Sequence, residues 1–499
     1  MSEIKNPERT DRAEARHLRR SNRRMKTWLV ILPVFLFLLG WLLGTFVPLP
    51  FSKDAATTVE SIIPLSSDEK FGNILKIMSE DWFFANEVED VTGTLQDKAY
   101  YGMTSNEIDP HTAYMSAEEI TNFTQSINRN FIGIGVQFRS TADGLHVVER
   151  VIRNTPAEEY GVQAGDIIHA VEGVNVSGMT STEVADLVKG EEGTPVTIDF
   201  LRDGKTVTLK IIRRAISSTT YGQLLDDGTG YLEIQQFGET TGDECRTIMK
   251  EFVSEGITRM IIDLRDDGGG YLSALQNVMG CFVKDGTVVM RQEYSDGTVT
   301  EIKSHGDPFT QIEKCVLLIN GNTASAAEVF TLAMKELRPE TETVGVLSYG
   351  KGTVQITRMF DDGSALKYTT SKWTSPSGVW VNKTGIEPDH EVQQHDVYYE
   401  TFLAIEDDEE YGVDTVSEFT RLTQISLDFL GYEVDRTDGY MSAETSARIL
   451  EYQEEHDLEV TGTVNAQTYK AVLSQVILSF SKLDERDYQL TKALEVVHE

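Results

Sequence analysis

Residues 347–356 read LSYGKGTVQI, setting Lys351 between two glycines with Thr353 and Gln355 behind it. In a strand, side chains alternate faces, so Lys351, Thr353 and Gln355 would point the same way. Lysine serves as a base only when neutral, and an ordinary pKa of about 10.4 prevents that near pH 7. Burial among apolar groups depresses it by several units, because the charged form loses its water. Val346, Tyr349 and Val354 are the candidate walls. The group to be activated lies upstream. In GNTASAAEVFTLAMKEL, Ser325 stands at the mouth of a helix, directly after an NGNTA turn. Helix starts carry backbone amides without intrahelical partners, Ala326 included here, and such amides can bind an oxyanion. A serine–lysine pair can replace the serine–histidine–aspartate triad.

Other chemistries fit these residues less well. Gly345, Gly350 and Lys351 have the spacing of a phosphate-binding loop. That loop needs Ser or Thr directly after the lysine and a helix opening there; here Gly352 follows and GTVQITRMF reads as strand. His111, His146, His169, His305, His390 and His395 lie in no triad motif, and DHEVQQHD has no helical metal-ligand spacing. The sequence therefore calls for no metal, nucleotide or other cofactor.

A net charge of −35 over 499 residues argues against nucleic acid as a partner, since phosphate contacts require basic patches. Residues 1–26 hold nine Lys/Arg against four Asp/Glu, so they carry +5 and the remainder −40. Next comes Trp28–Pro48, WLVILPVFLFLLGWLLGTFVP, 21 residues without a charge and long enough to cross a bilayer. Arg19, Arg20, Arg23, Arg24 and Lys26 flank it, so the positive-inside rule puts the amino terminus in the cytoplasm and residues 51–499 outside. The segment ends in TFVPLPFSK rather than the small residues of a cleavage site, which favours an uncleaved anchor. Cys245, Cys281 and Cys315 are an odd number amid apolar neighbours, not a disulfide framework.

The elements that must position Ser325 and Lys351 follow in order. A helix is predicted over 66–84, capped by Ser66 or Ser67, with Phe71, Ile74, Leu75, Met78 and Trp82 on one face; helical pattern runs to about Tyr101. From Phe131 to about Ile216 short β-rich runs alternate with glycine turns, including a hairpin at Asp203–Gly204. From 229 strands alternate with helices at 241–255, 271–284 and 326–337, the pattern of a parallel or mixed sheet covered by helices. EDDEEYGVDTVSE, 406–418, breaks the pattern. Beyond it GYMSAET at 439 and GTVNAQT at 462 form an internal repeat, each placing a capping residue before a helix.

DPHTAYM, LRDDGGG, TASAAE, YGKGTVQ and GIEPDHEV, in this order along the chain, resemble the carboxyl-terminal processing (tail-specific) proteases, a Ser–Lys peptidase family. The resemblance covers about residues 66–400. It implies Ser325, three residues before Glu328, as nucleophile, Lys351 as base and Gln355 as its orienting partner. It puts the oxyanion donors at Gly269 or Gly270 together with Ala326. Two departures stand out: Asp267–Gly268 replace the family's Asn–Pro, and Thr323 and Ala327 replace its flanking serines. His111 falls in a turn that is structural in the family.

Residues 131–213 look like a PDZ domain. FIGIGV would offer the amides of Gly133, Ile134, Gly135 and Val136 to a terminal carboxylate, and STEVADLVKG the other wall, with Val184 and Leu187 as pocket residues. Residues 419–477 resemble a three-helix peptidoglycan-binding domain. The expected α/β multi-domain architecture is a basic cytoplasmic segment (1–26), a transmembrane anchor (27–48) and helical protease residues (49–125). A PDZ domain (126–213) is inserted before an α/β protease core (214–402). An acidic linker (403–418), a peptidoglycan-binding-like domain (419–478) and a tail (479–499) complete it.

The activity implied is a membrane-anchored, extracytoplasmic serine endopeptidase cutting proteins near their carboxyl termini. The PDZ-like module would capture the substrate end at Gly133–Val136 and gate a resting site whose serine and lysine are misaligned or occluded. Protein substrates and peptidoglycan are the expected partners, and the resemblance adds a homodimer through 66–101. The alternative is a non-catalytic scaffold using the PDZ-like and wall-binding modules as tethers, for which an intact Ser325–Lys351–Gln355 set would have no use.

Overall fold

The computed structural model describes residues 67–202, 204–480 and 483–499. Ser66, the expected anchor at 27–48 and the residues before it lie outside this set. Among the described residues no helix is long and apolar enough to cross a membrane. The chain divides into two compact units, Met1–Thr92 and Gly93–Glu499.

In the first unit, the helix Ser67–Glu80 stops four residues short of the predicted end, and the chain turns through a 3-10 segment at Ala85–Glu87. Of its expected apolar face, Phe71 and Ile74 stand exposed, whereas Leu75 and Met78 are half-buried.

The second unit is built around a six-stranded sheet. Thr220–Leu224 runs antiparallel to Gly230–Ile234, which is followed in parallel by Arg259–Asp263, Lys314–Ile319, Glu342–Gly345 and His390–Glu391. The central strands Arg259–Asp263 and Lys314–Ile319, buried on both faces, read as nearly unbroken apolar runs. Alternation sorts them. Leu232, Ile234, Met260, Ile262, Leu317 and Ile319 face one core, shared with Met249, Phe252, Leu275, Val278 and Phe330 of the helices Thr241–Ser254, Leu272–Met279 and Ala326–Leu337. Tyr231, Ile261, Val316, Leu318 and Val344 face the other, against Leu490, Ala493, Val496 and Val497. Those four lie on the helix Tyr488–His498, inside the segment expected to be a tail. The predicted 271–284 helix is shorter, Leu272–Met279, and Gly280 after it packs on the His305 carbonyl, where a Cβ would lie 1.9 Å from the oxygen.

A second, antiparallel sheet orders Ala113–Met115, Ala365–Thr374, Val288–Tyr294 and Val299–Lys303, with Thr353–Met359 also paired to Ala365–Thr374. The PDZ-like module is an antiparallel sheet of Val136–Ser140, His146–Val151, Ile167–Val171, Pro195–Arg202 and Lys205–Ile212, with the two-residue strand Val174–Asn175 at its side and the helix Ser181–Val188. Arg202 pairs with Lys205 across the expected hairpin, whose Asp203 lies outside the described residues.

Three helices, Glu418–Phe429, Ala443–Glu455 and Ala466–Ser479, enclose Leu422, Leu427, Met441, Ile449, Tyr452, Tyr469 and Val472. The repeat has a structural reason. Ser442 and Asn465 cap two of the helices by accepting from Thr445 and Thr468. Buried Gln424 accepts from Gly439 N and donates to Thr445; buried Gln453 does the same with Gly462 and Thr468. The acidic stretch expected as a linker contributes Glu410–Tyr411, paired with Val464–Asn465.

Candidate active site

Strand Lys314–Ile319 delivers a tight turn, Asn320–Ala324, to the head of the Ala326–Leu337 helix. Thr323 Oγ1 donates to the Leu264 carbonyl at 2.8 Å, and Ala324 N donates to the Asp267 carbonyl at 2.9 Å. Ser325 is the corner, with φ 58° and ψ −118°. A non-glycine residue there costs about 1–3 kcal/mol, which persists only where the surroundings over-determine it. The same kind of strained strand-to-helix corner exposes the serine of other hydrolases.

Glu328, one helical turn on and fully buried, fixes this corner. Its carboxylate accepts Ser325 N (2.9 Å), Lys351 N (2.9 Å), Gly350 N (2.7 Å) and Ser348 Oγ (2.6 Å). One carboxylate therefore binds the serine corner to the lysine loop. That loop is held elsewhere too: Trp373 Nε1 donates to the Lys351 carbonyl and Trp380 Nε1 to that of Gly352, at 2.7 and 2.9 Å. Lys351 precedes the strand, which begins at Thr353, so the expected strand alternation does not govern it.

Ser325, Lys351, Thr353 and Gln355 nevertheless line one cleft of about 250 Å³, with Ala326, Gly270, Val354, Trp373 and Lys367. Phe123 and Ile127, from the helix Ala117–Asn128, close another side. Of the three expected walls only Val354 is present; Tyr349 is 58% exposed and Val346 borders a different cavity. The hydrogen bonds tying Ser325 to Lys351 run through Glu328, not between their side chains. Burial lowers the Lys351 pKa, and the nearby Lys367 ammonium lowers it further, against the opposing pull of Glu328 and Asp109.

Gln355 donates from Nε2 to Thr353 Oγ1 (2.9 Å) and Thr369 Oγ1 (3.0 Å), and Thr369 Oγ1 in turn donates to Asp109 Oδ1 at 3.1 Å. The DPHT turn is thus wired to Gln355. His111 belongs to this group: burial and the charge of Lys351 lower its pKa. Lys367 and Thr369 went unnoticed in the sequence because strand alternation in ALKYTTSKWT looks like any amphipathic strand.

Gly269 packs directly behind Ser325; a Cβ there would lie 2.8 Å from Ala324 O, Ala326 N and Ser325 Cβ. Its N–H is given to the Asp267 carboxylate at 2.8 Å. Gly270, at φ 148°, lines the cleft. Of the two glycine candidates, Gly270 is therefore the one facing the Ser325 side chain's space. Asp267 is fully buried and its other oxygen, Oδ2, has no hydrogen-bond partner. His390 and His395 are paired with Glu342 (2.8 Å) and Asp428 (3.1 Å), and among the described residues no group of His, Cys, Asp and Glu is placed to hold a metal.

Set beside known proteins, residues 228–392 match the model of peptidase family S41, 133–212 that of the PDZ domain and 416–472 that of a putative peptidoglycan binding domain. The carboxy-terminal processing protease CtpA of Bacillus subtilis is 30% identical over 405 residues, 81% of this chain and 85% of that protein. The chain belongs to peptidase family S41, the C-terminal processing serine proteases. A probable CtpA-like serine protease of Staphylococcus haemolyticus is 29% identical over 476 residues, 93% of this chain and 92% of that one. Among solved structures, the photosystem II D1 C-terminal processing protease covers 66% of this chain and 94% of its own, with 23% identity and a TM-score of 0.38.

The PDZ domain of this peptidase presents Val136 and Phe138 to a larger cavity, of about 1000 Å³. It is not where the candidate nucleophile sits; it lies between the PDZ strand Val136–Ser140, the PDZ helix and the core residues Gln235, Arg265 and Asn320. Gly133, Ile134 and Gly135 are buried beneath it. The helix face turned to this cavity is Ser181, Thr182 and Ala185, with Lys189 at the helix end, not Val184 and Leu187. Val184 is fully buried in the PDZ core and Leu187 packs against that core. At 3.6 residues per turn, the most apolar face of a groove helix is the one pointing into its own domain.

Proposed function

We propose that this peptidase cleaves extracytoplasmic proteins near their carboxyl termini with Ser325 and Lys351 as its catalytic pair. The hydroxyl of Ser325 attacks the scissile carbonyl while its proton passes to neutral Lys351 Nζ. The amides of Ala326 and Gly270 receive the oxyanion. On collapse the C–N bond breaks and Lys351 returns the proton to the leaving amine; water then hydrolyses the acyl-enzyme by the same route in reverse. Gln355, its carboxamide plane fixed by Thr353 and Thr369, orients the lysine.

The observation that carries this reading is Glu328. A buried carboxylate that gathers the backbone amides of both Ser325 and Lys351 has one evident purpose, to set the two residues against each other. To the same reading belong residues 27–48 as an anchor with the amino terminus in the cytoplasm, a PDZ groove reading substrate ends, wall binding by the 419–478 module, and a homodimer. The test is cleavage of casein or a carboxyl-terminally tagged unstructured peptide by the purified protein. Ser325→Ala and Lys351→Ala should each abolish it, and residual cleavage by either would remove that residue from the mechanism.

A further inference from the structure

The turn carrying Gly269 and Gly270 is gripped from two directions. Towards the serine, the Leu264 and Asp267 carbonyls and the Asp266 carboxylate bind the 320–324 turn, the last through Asn320 and Asn322. From the other direction the grip is ionic. Arg265 donates from Nε to Asp263 Oδ1 (2.9 Å) and from Nη2 to Asp263 Oδ2 (2.6 Å). Its Nη1 and Nη2 reach the two oxygens of Asp487 at 3.0 and 2.8 Å. Gln489 Oε1 accepts a further bond at 3.2 Å.

Asp487 lies 222 residues downstream of Arg265, on the far side of the peptidoglycan-binding module. It caps the Tyr488–His498 helix by accepting from Leu490 N at 2.9 Å, and accepts from Gln394 Nε2 at 2.6 Å. The ion pair is shielded, with the Arg265 and Asp487 side chains 15% and 9% exposed. Apolar contacts alone would dock this helix. A two-pronged, charge-assisted clamp on the second residue of the oxyanion turn adds geometric precision that docking does not need.

We propose that Asp487 is a positioning residue of the peptidase: it holds Arg265, and through it the glycine turn, in register with Ser325. The segment 487–499 is thereby a working part of the active centre. The inference rests on the assignment of Gly270 and Ala326 as oxyanion donors. Losing a whole oxyanion donor costs about 10²- to 10³-fold in kcat, so a displaced turn should cost about tenfold or more.

The test uses the full chain with Asp487→Asn, which keeps a capping oxygen but removes the charge, Asp487→Glu, which restores the charge, and Val496→Ala, which loosens helix packing away from the turn. Asp487→Asn should lower kcat on a tagged unstructured substrate about tenfold or more with KM changed less than about twofold, the signature of lost transition-state stabilisation. Asp487→Glu should recover most of that loss. Val496→Ala should lower the melting temperature yet keep kcat per folded molecule. If Asp487→Asn keeps kcat within about twofold, or loses only what its folded fraction accounts for, Asp487 has no positioning role. Should Ser325→Ala still cut in the same assay, it is the reading of the site that fails, and this inference with it.

Discussion

Glu328 accepts the backbone N–H groups of Ser325 and Lys351 on the same oxygen, Oε2, each at 2.9 Å. Two segments 26 residues apart in sequence are thus joined at one atom, with no water-exposed link between them. Its second oxygen serves Ser348 and Gly350, so all of the carboxylate's close contacts are donors.

Glu328→Gln is nearly isosteric but turns one of those oxygens into an NH₂ facing two donors. Each unsatisfied buried donor costs about 1–3 kcal/mol, so with two stranded the variant should unfold about 2–6 kcal/mol more easily and be inactive even when folded. Urea denaturation followed by a casein assay at low denaturant measures both. A loss of under about 1 kcal/mol would mean the carboxylate is not the joint described.

Ser325 holds a backbone conformation that only glycine adopts without strain. Ser325→Gly and Ser325→Ala should both be inactive, but the glycine variant should melt at the higher temperature, by an equivalent of about 1 kcal/mol. Equal melting temperatures, or a more stable alanine variant, would show that the corner is not strained.

In the proposed mechanism Lys351 reacts in its neutral form, so kcat/KM should rise with pH through the lysine's depressed pKa. Burial is the larger cause of that depression and Lys367 the next. Removing the second positive charge in Lys367→Gln makes protonated Lys351 easier to sustain, which raises its pKa. The ascending limb should therefore move to higher pH, with activity at high pH approaching the parent's. A limb that stays put or moves to lower pH would contradict the geometry of the lysine pair.

Blocking the PDZ groove needs a position that tolerates a side chain. Gly135 does not, because a Cβ there would lie 2.3 Å from Thr155 Cβ. Ala185, half-buried on the cavity face of the PDZ helix, does. Ala185→Trp should cut turnover of carboxyl-terminally tagged substrates at least tenfold while sparing the melting temperature. For gating, the peptide must favour the open state; equal affinity for both states would shift nothing. Unchanged turnover of tagged substrates would leave the groove without a part in selection.

Much of this was legible in the sequence. The Ala326–Leu337 helix has the predicted bounds, because Ser325 and Glu328 mark its start chemically. The repeat in the carboxyl-terminal module announced its two caps. What escaped notice has a common cause: it depends on contacts between distant residues. No local pattern tells that Asp109 and Thr369 meet behind Gln355, or that Asp267 withdraws the Gly269 amide. The apolar face of the PDZ helix suggests a ligand wall in the sequence, but burial in its own domain has the stronger claim on Val184. Residues 479–499 look like a tail in the sequence because a short amphipathic helix after a complete module carries no sign of the sheet it covers.

That last helix sets an order of events in synthesis. Until residues 487–499 exist, Tyr231, Ile261, Val316, Leu318 and Val344 present a bare apolar sheet face to water. The three-helix module is synthesised before the helix that completes the peptidase sheet, so a chain interrupted between them carries the module beside an unfinished core. Released chains truncated just before Asp487 should remain digestible across 228–392, and released chains that include His498 should not. A core whose second face is covered from beyond another module cannot close until that module has been made.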